Sequence, residues 1–273
     1  MRLKLAVAAA LLLAPATFAA PARPTSAPPS PAAASTPGQP AAAAPRKATA
    51  EERVEAERLD PLGRAAFWAR EADIDPQDAD ARLKLAKALR ALGKYDEAAA
   101  AADQVLVMQP QDLEALLESA RARIQAGQGF YAIDEAQRAE TIAPKDWRPA
   151  SLLALALEQS DRDDEALAAH EKALALAPDN PAELSNLGMY YAAHGDAAKA
   201  EPLLRRAADA PGAGAQERQN LALVLGLEGK LDEAERLQRR DLPPAVVDSN
   251  LAYLRAGSDP APPHTWASVK GAP

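Results

Sequence analysis

Three histidines, thirty-nine carboxylates and no cysteine set the chemistry open to this chain. Histidine is the residue of proton transfer near neutral pH and the commonest metal ligand. His170, His194 and His264 are widely separated and share no metal-ligand spacing, so no metal site is expected. His170 falls on the packed side of a helical pattern and reads as the filler of a small cavity. His194 falls near a helix end, where partial positive charge suits the dipole. The acidic run Asp163-Asp164-Glu165 reads as a solvated, dipole-favoured helix start. No serine has a nucleophile-elbow context, and no glycine-rich loop follows a strand. Without cysteine there is no thiolate nucleophile, disulfide framework or zinc ribbon. Neither an enzyme nor a cofactor is expected.

The elements that carry these residues are helical. Aromatics make up only 4% of the 273 residues, and alanine is abundant, which favours helix over a β-sandwich. The formal charge of −8 makes nucleic acid a poor partner, because that binding asks for clustered positive charge.

Both ends read as lying outside the fold. Residues 1–20 have the pattern of a secretory signal peptide: basic Arg2 and Lys4, apolar Leu5 to Ala14, then small residues. Cleavage would follow Ala14-Pro15-Ala16 or Thr17-Phe18-Ala19. The apolar stretch is half of the ~20 residues that a spanning helix needs. An exported, periplasmic protein is therefore expected, with no direct lipid anchor, since a lipoprotein signal requires cysteine. Residues 21–50 are rich in Ala and Pro and read as a disordered linker. The tail 257–273, with Trp266, reads the same way.

A 34-residue period organises the rest. Ala98, Ala132, Ala166, Ala200 and Ala234 keep that spacing, as do Gly93, Gly127, Asp161, Gly195 and Gly229. Pro76, Pro110, Pro144 and Pro178 form a third column, and Asp78, Asp112, Asp146 and Asn180 a fourth. Each column has a physical role. The Asp/Asn column should cap the first helix of each unit. The Gly/Asp161 column should end that helix in a left-handed conformation. Asp96, Asp164 and Asp232 should cap the second helix, and the alanine column should let the two helices approach closely. The units are 79–112, 113–146, 147–180, 181–214 and 215–241. Residues 51–78 form a helical half-unit split near Asp60-Pro61, with Phe67 and Trp68 covering the first unit. Residues 242–256 form a capping helix whose apolar face is Val246, Val247, Leu251 and Leu254. Pro202 predicts a late start for the fourth unit's second helix. Gly212 and Gly214 predict a looser junction before the fifth unit.

This pattern resembles the tetratricopeptide repeat (TPR), which implies an all-α, right-handed superhelical solenoid of about five helix–turn–helix units. In that fold the first helices line a concave face. The columns that would point into it hold Lys84, Lys87 and Arg90, then Arg121 and Arg148, then Asn186, Met189, Gln219 and Asn220. The resemblance thus implies a peptide groove that is basic in its N-terminal half and neutral in its C-terminal half. Leu83 occupies the position of the first lysine of the chaperone-binding clamp, so chaperone tails are not expected.

Several segments go beyond the general repeat: Phe67-Trp68-Ala69-Arg70-Glu71 leading to Asp75-Pro76, Pro144 to Pro149, Asp179 to Gly188, Arg239 to Pro244, and Asn250 to Arg255. They resemble the TadD family of the tight-adherence (Flp) pilus system. That resemblance implies a non-enzymatic periplasmic scaffold, with the outer-membrane secretin or other pilus-assembly subunits as partners. The alternative is a general periplasmic TPR adaptor for cell-wall or polysaccharide-export complexes.

Overall fold

The structure, a computed structural model, describes residues 46–258. The expected signal peptide, most of the expected linker, and the tail beyond Ser258, with Trp266 and His264, lie outside the described residues. Thirteen helices and no strand occur among the described residues. A half-unit of α1 (Ala50–Ala56) and α2 (Pro61–Ile74) comes first. Five helical pairs follow: α3 (Ala79–Ala91) with α4 (Tyr95–Met108), α5 (Leu113–Gln125) with α6 (Gly129–Ile142), and α7 (Trp147–Glu158) with α8 (Asp163–Leu176). The fourth is α9 (Pro181–Ala193) with α10 (Ala197–Asp209), the fifth α11 (Ala215–Leu227) with α12 (Leu231–Gln238). The array closes with α13 (Pro244–Ser258). Each helix packs on its sequence neighbour, which makes a one-dimensional solenoid.

The repeat columns do the work their chemistry allows. The side chains of Asp78, Asp112 and Asn180 accept from the backbone N–H three residues on, and Asp146 accepts from Arg148 N. Each such cap is worth about 1 kcal/mol. The stop column is left-handed throughout: Gly93 at φ 74, Gly127 at 75, Asp161 at 56, Gly195 at 77 and Gly229 at 79. That turn lets the next residue donate to a carbonyl five residues back, as in Lys94 N to Leu89 O at 3.0 Å and Arg162 N to Leu157 O at 3.0 Å.

The second helices start differently from the sequence expectation. Their N-cap residues in the first, third and fifth units are Lys94, Arg162 and Lys230, none with a side-chain cap bond. Asp96, Asp164 and Asp232 lie inside the first turn, where they oppose the dipole charge without capping. Only the fourth unit places a carboxylate at this cap, Asp196 accepting from Lys199 N. That cap also corrects the late start expected from Pro202. Helix α10 begins at Ala197 and runs through the proline. Its fully buried Ala200 and Leu204 hold it despite the lost backbone bond.

Residues 46–49 join the fold rather than the linker. Thr49 caps α1 in a capping box with Glu52. Ala48 N donates to Glu71 at 2.9 Å, and Lys47 pairs with Asp75. Trp68 is fully buried beneath the first unit. At the other end Val247, Leu251 and Leu254 are buried against the array.

Ala166 has no exposed surface and sits where α8 approaches α7. Ala166→Trp is expected to destabilise the third unit by about 3 kcal/mol or more through overpacking. Unchanged melting by circular dichroism would show that the register is wrong.

Candidate functional site: the face of the first helices

Consecutive first helices pack on one another, α3 on α5, α5 on α7 and α9 on α11. Between α7 and α9 the link is the Asn186–Ser151 hydrogen bond, and the side chains at the repeat columns of these first helices are the candidates for binding.

All five expected cations lie on this face, yet they do not make it basic. Lys84 Nζ stands 3.5 Å from Glu57 and 3.3 Å from Asp80, and 4.4 Å above the Trp68 ring. Lys87 lies 3.9 Å from Glu114, which also takes Arg148 at 2.8 Å. Arg148 makes a second pair with Asp146 at 2.7 Å. Hydrogen bonds to Asp146 and Glu114 outweigh burial and raise the Arg148 guanidinium above its ordinary value. Arg90 and Arg121 both converge on Glu118, at 2.6 and 3.2 Å. Glu118 has no exposed surface. The N-terminal half is therefore a compensated ladder. Some carboxylates come from the same helix, as Asp80 to Lys84 and Glu118 to Arg121, and others from a neighbouring unit, as Glu114 to Arg148 and Glu118 to Arg90.

The amides expected in the C-terminal half are partly engaged. Asn186 Nδ2 donates to Ser151 Oγ at 3.3 Å, and Asn220 Nδ2 donates to Ser185 Oγ at 2.8 Å. These equivalent bonds tie each first helix to the preceding one. Gln219 Nε2 donates to Asp241 at 3.4 Å, near Arg218, which holds the same carboxylate at 2.5 Å. Met189 is half-buried against the cluster of Ala200, Leu204 and Leu221.

His170 does fill a buried position, and two carboxylates line it. It is fully buried, with Nε2 2.6 Å from Glu158 Oε1 and Nδ1 2.7 Å from Glu183 Oε1. His194 ends α9 as expected, with Nδ1 2.8 Å from Tyr190 O. Its ring stacks on Tyr190 at 4.2 Å, and its Nε2 lies 3.4 Å from Asp163. Among the described residues no cluster of His, Asp and Glu has the geometry to hold a metal ion. No described helix is long and apolar enough to cross a membrane.

The tetratricopeptide-repeat family profile matches residues 50–112 and 83–146, and a second profile of the same repeat matches 150–182. No curated protein matches the sequence. Among solved structures, the chain is similar to a thermophilic TPR protein of Thermus thermophilus, with 24% identity and a TM-score of 0.59 over 65% of this chain and 99% of that one. It is similar to a TPR protein of Parabacteroides merdae at 12% identity and a TM-score of 0.62, over 75% of this chain and 80% of that one. MamA of Desulfovibrio magneticus aligns at 22% identity and a TM-score of 0.50, over 57% of this chain and 90% of that one. At these identities the likeness is one of fold, and the profiles supply the family. The chain is a tetratricopeptide-repeat protein, built from repeats that serve as scaffolds for protein–protein interaction.

Proposed function

We propose that this TPR protein is a non-enzymatic, exported scaffold that binds protein partners in the periplasm during assembly of a tight-adherence (Flp) pilus or the secretion machine that builds it. The observation that carries this reading is the set of segments beyond the repeat consensus, Phe67 to Glu71, Pro144 to Pro149, Asp179 to Gly188, Arg239 to Pro244 and Asn250 to Arg255, together with the signal-like residues 1–20. The partners are the outer-membrane secretin or other pilus-assembly subunits. With no cysteine to lipidate, membrane association runs through those partners.

The partner-facing surface in this reading is the face of the first helices. Its N-terminal half carries both signs of charge, so it suits an extended peptide that carries both charges and exchanges them against the ladder. Lys84 and Lys87 are the cations to test, because their pairs are long and solvent-facing. Breaking such pairs costs little stability.

The test is affinity capture of the tagged, full-length protein from mildly cross-linked envelopes of its host. Recovery of a secretin or other pilus-assembly subunits is expected, falling at least about tenfold for the double variant Lys84→Glu, Lys87→Glu if two charge contacts are reversed. Recovery of wall or polysaccharide-export enzymes instead would overturn the pilus reading and leave the general adaptor. Unchanged recovery with the double variant would remove this face as the binding surface.

A further inference from the structure

The joint between the third and fourth units is built unlike the others. Elsewhere consecutive first helices pack directly, α3 on α5, α5 on α7 and α9 on α11. Helices α7 and α9 make no comparable contact. Their direct polar link is the Asn186–Ser151 hydrogen bond, and α9 also packs less extensively on α8 than α5 packs on α4 or α7 on α6. Leu187 and Tyr190 of α9 share the core of the second and third units, while Leu204, Leu221 and Leu225 belong to a separate core.

Into this thin joint the fold places a buried imidazole between two carboxylates. His170 comes from α8, Glu158 from the last residue of α7, and Glu183 from the first turn of α9. The two contacts, at 2.6 and 2.7 Å, are hydrogen-bond distances. A carboxylate can only accept, so both contacts are hydrogen bonds only if both ring nitrogens carry hydrogen. A neutral imidazole would turn one lone pair toward a carboxylate oxygen, and that contact must lengthen. Glu158 is about a quarter exposed and can turn to water. Glu183 is fully buried, and its Oε2 accepts no hydrogen bond. Its carboxylate can find water only if α9 moves.

We propose that His170 is a proton-operated latch on this joint: protonated, it ties α7, α8 and α9 into one body, and neutral, it releases the fourth and fifth units from the third. The facing groups favour the closed state at neutral pH. Glu158 faces the ring from α7, and Glu183 and Tyr190 face it from α9. On α8 itself Asp163 lies beyond Tyr190, accepting from the Tyr190 hydroxyl through its carbonyl at 3.0 Å and pairing with His194. Burial alone would lower the basicity of His170, but the bonds to Glu158 and Glu183 outweigh it and push the group up to about 9. Release therefore belongs to the alkaline range. Because the joint divides the ion-paired half of the first-helix face from its amide half, opening would change how far apart those halves stand.

The chain contains no native cysteine, so introduced ones can be spin-labelled selectively. Val107→Cys with Arg236→Cys spans the joint, and Val107→Cys with Ala175→Cys lies wholly on its N-terminal side. Electron-spin distance distributions on the full chain should be narrow for both pairs at pH 7. The spanning distribution is expected to broaden roughly twofold above pH 9, and already at pH 7 in His170→Gln, while the control pair stays narrow. Glu158→Gln, which leaves an acceptor but removes its charge, should move the pH of broadening downward. If the spanning pair is unchanged by pH and by His170→Gln, or the control pair broadens equally, the latch is wrong. An unmoved midpoint in Glu158→Gln would equally overturn it.

Discussion

Arg90→Ala is expected to destabilise the array by about 3 kcal/mol, although its side chain is one of several on a charged surface. The reason lies in its partner. Glu118 has no exposed surface, and Arg90 Nε reaches it at 2.6 Å. Removing one member of a buried pair strands a desolvated charge, and the loss runs to about 3–5 kcal/mol. The lower end applies because Arg121 still reaches Glu118 at 3.2 Å. Arg121 is a weak substitute, since its 3.2 Å contact is longer than the 2.6 Å bond made by Arg90. Lys87→Ala supplies the contrast. Its pair with Glu114 is 3.9 Å long with both side chains over two-fifths exposed, so less than about 1 kcal/mol is at stake. Urea unfolding followed by circular dichroism measures both. Hydrogen exchange should place the Arg90→Ala loss in α3 to α5 and spare α11 to α13, because repeats couple chiefly to neighbours. Equal midpoints for the two variants would show that the Arg90–Glu118 pair is not the anchor described.

The sequence carries the fold in its columns because each column has one physical task. An Asp or Asn side chain caps the first helix at 78, 112, 146 and 180, and glycine or a residue such as Asp161 accepts the left-handed turn. Those tasks are local, so they are legible without a structure. The caps of the second helices were misread because the left-handed residue is followed by a single linking residue. That places Lys94, Arg162 or Lys230 at the cap and the acidic residue inside the helix. The charges of the candidate face were misread for a different reason. Lys84 and Glu118 share one column, and Asp80, Glu114 and Arg148 share another, each at the 34-residue spacing. Opposite signs one repeat apart predict the Glu114–Arg148 pair between units, whereas Asp80 and Glu114 share a sign and Lys84 and Glu118 take other partners. His170 was less accessible. Its partners lie twelve and thirteen residues away on two different helices, so neither helical periodicity nor a repeat column joins the three.

Stability should fall with rising pH across the window from about 6.5 to about 9, and His170→Gln should flatten that fall. A group whose proton affinity rises on folding stabilises the native state fully below its unfolded value and loses that contribution as the pH passes its folded value. The unfolded imidazole titrates near 6.5, whereas in the fold the bonds to Glu158 and Glu183 prevail over burial and hold the proton up to about 9. The difference is worth on the order of 3 kcal/mol. Between those values the native protein binds more protons than the unfolded chain, which fixes the negative slope. Urea midpoints of the full chain at pH 6, 7.5 and 9.5 measure it. The wild type should lose most of this contribution by pH 9.5, and His170→Gln should start lower and change less. Parallel curves for the two proteins would mean that His170 does not carry the bound proton, because the other alkaline groups, lysines and tyrosines, are common to both. The energetic slope and the distance test separate two roles that a single melt would merge. A histidine that only stabilises the third unit gives the slope with the joint unmoved. A latch gives the slope together with movement of the fourth and fifth units, because buried Glu183 can be hydrated only when α9 leaves.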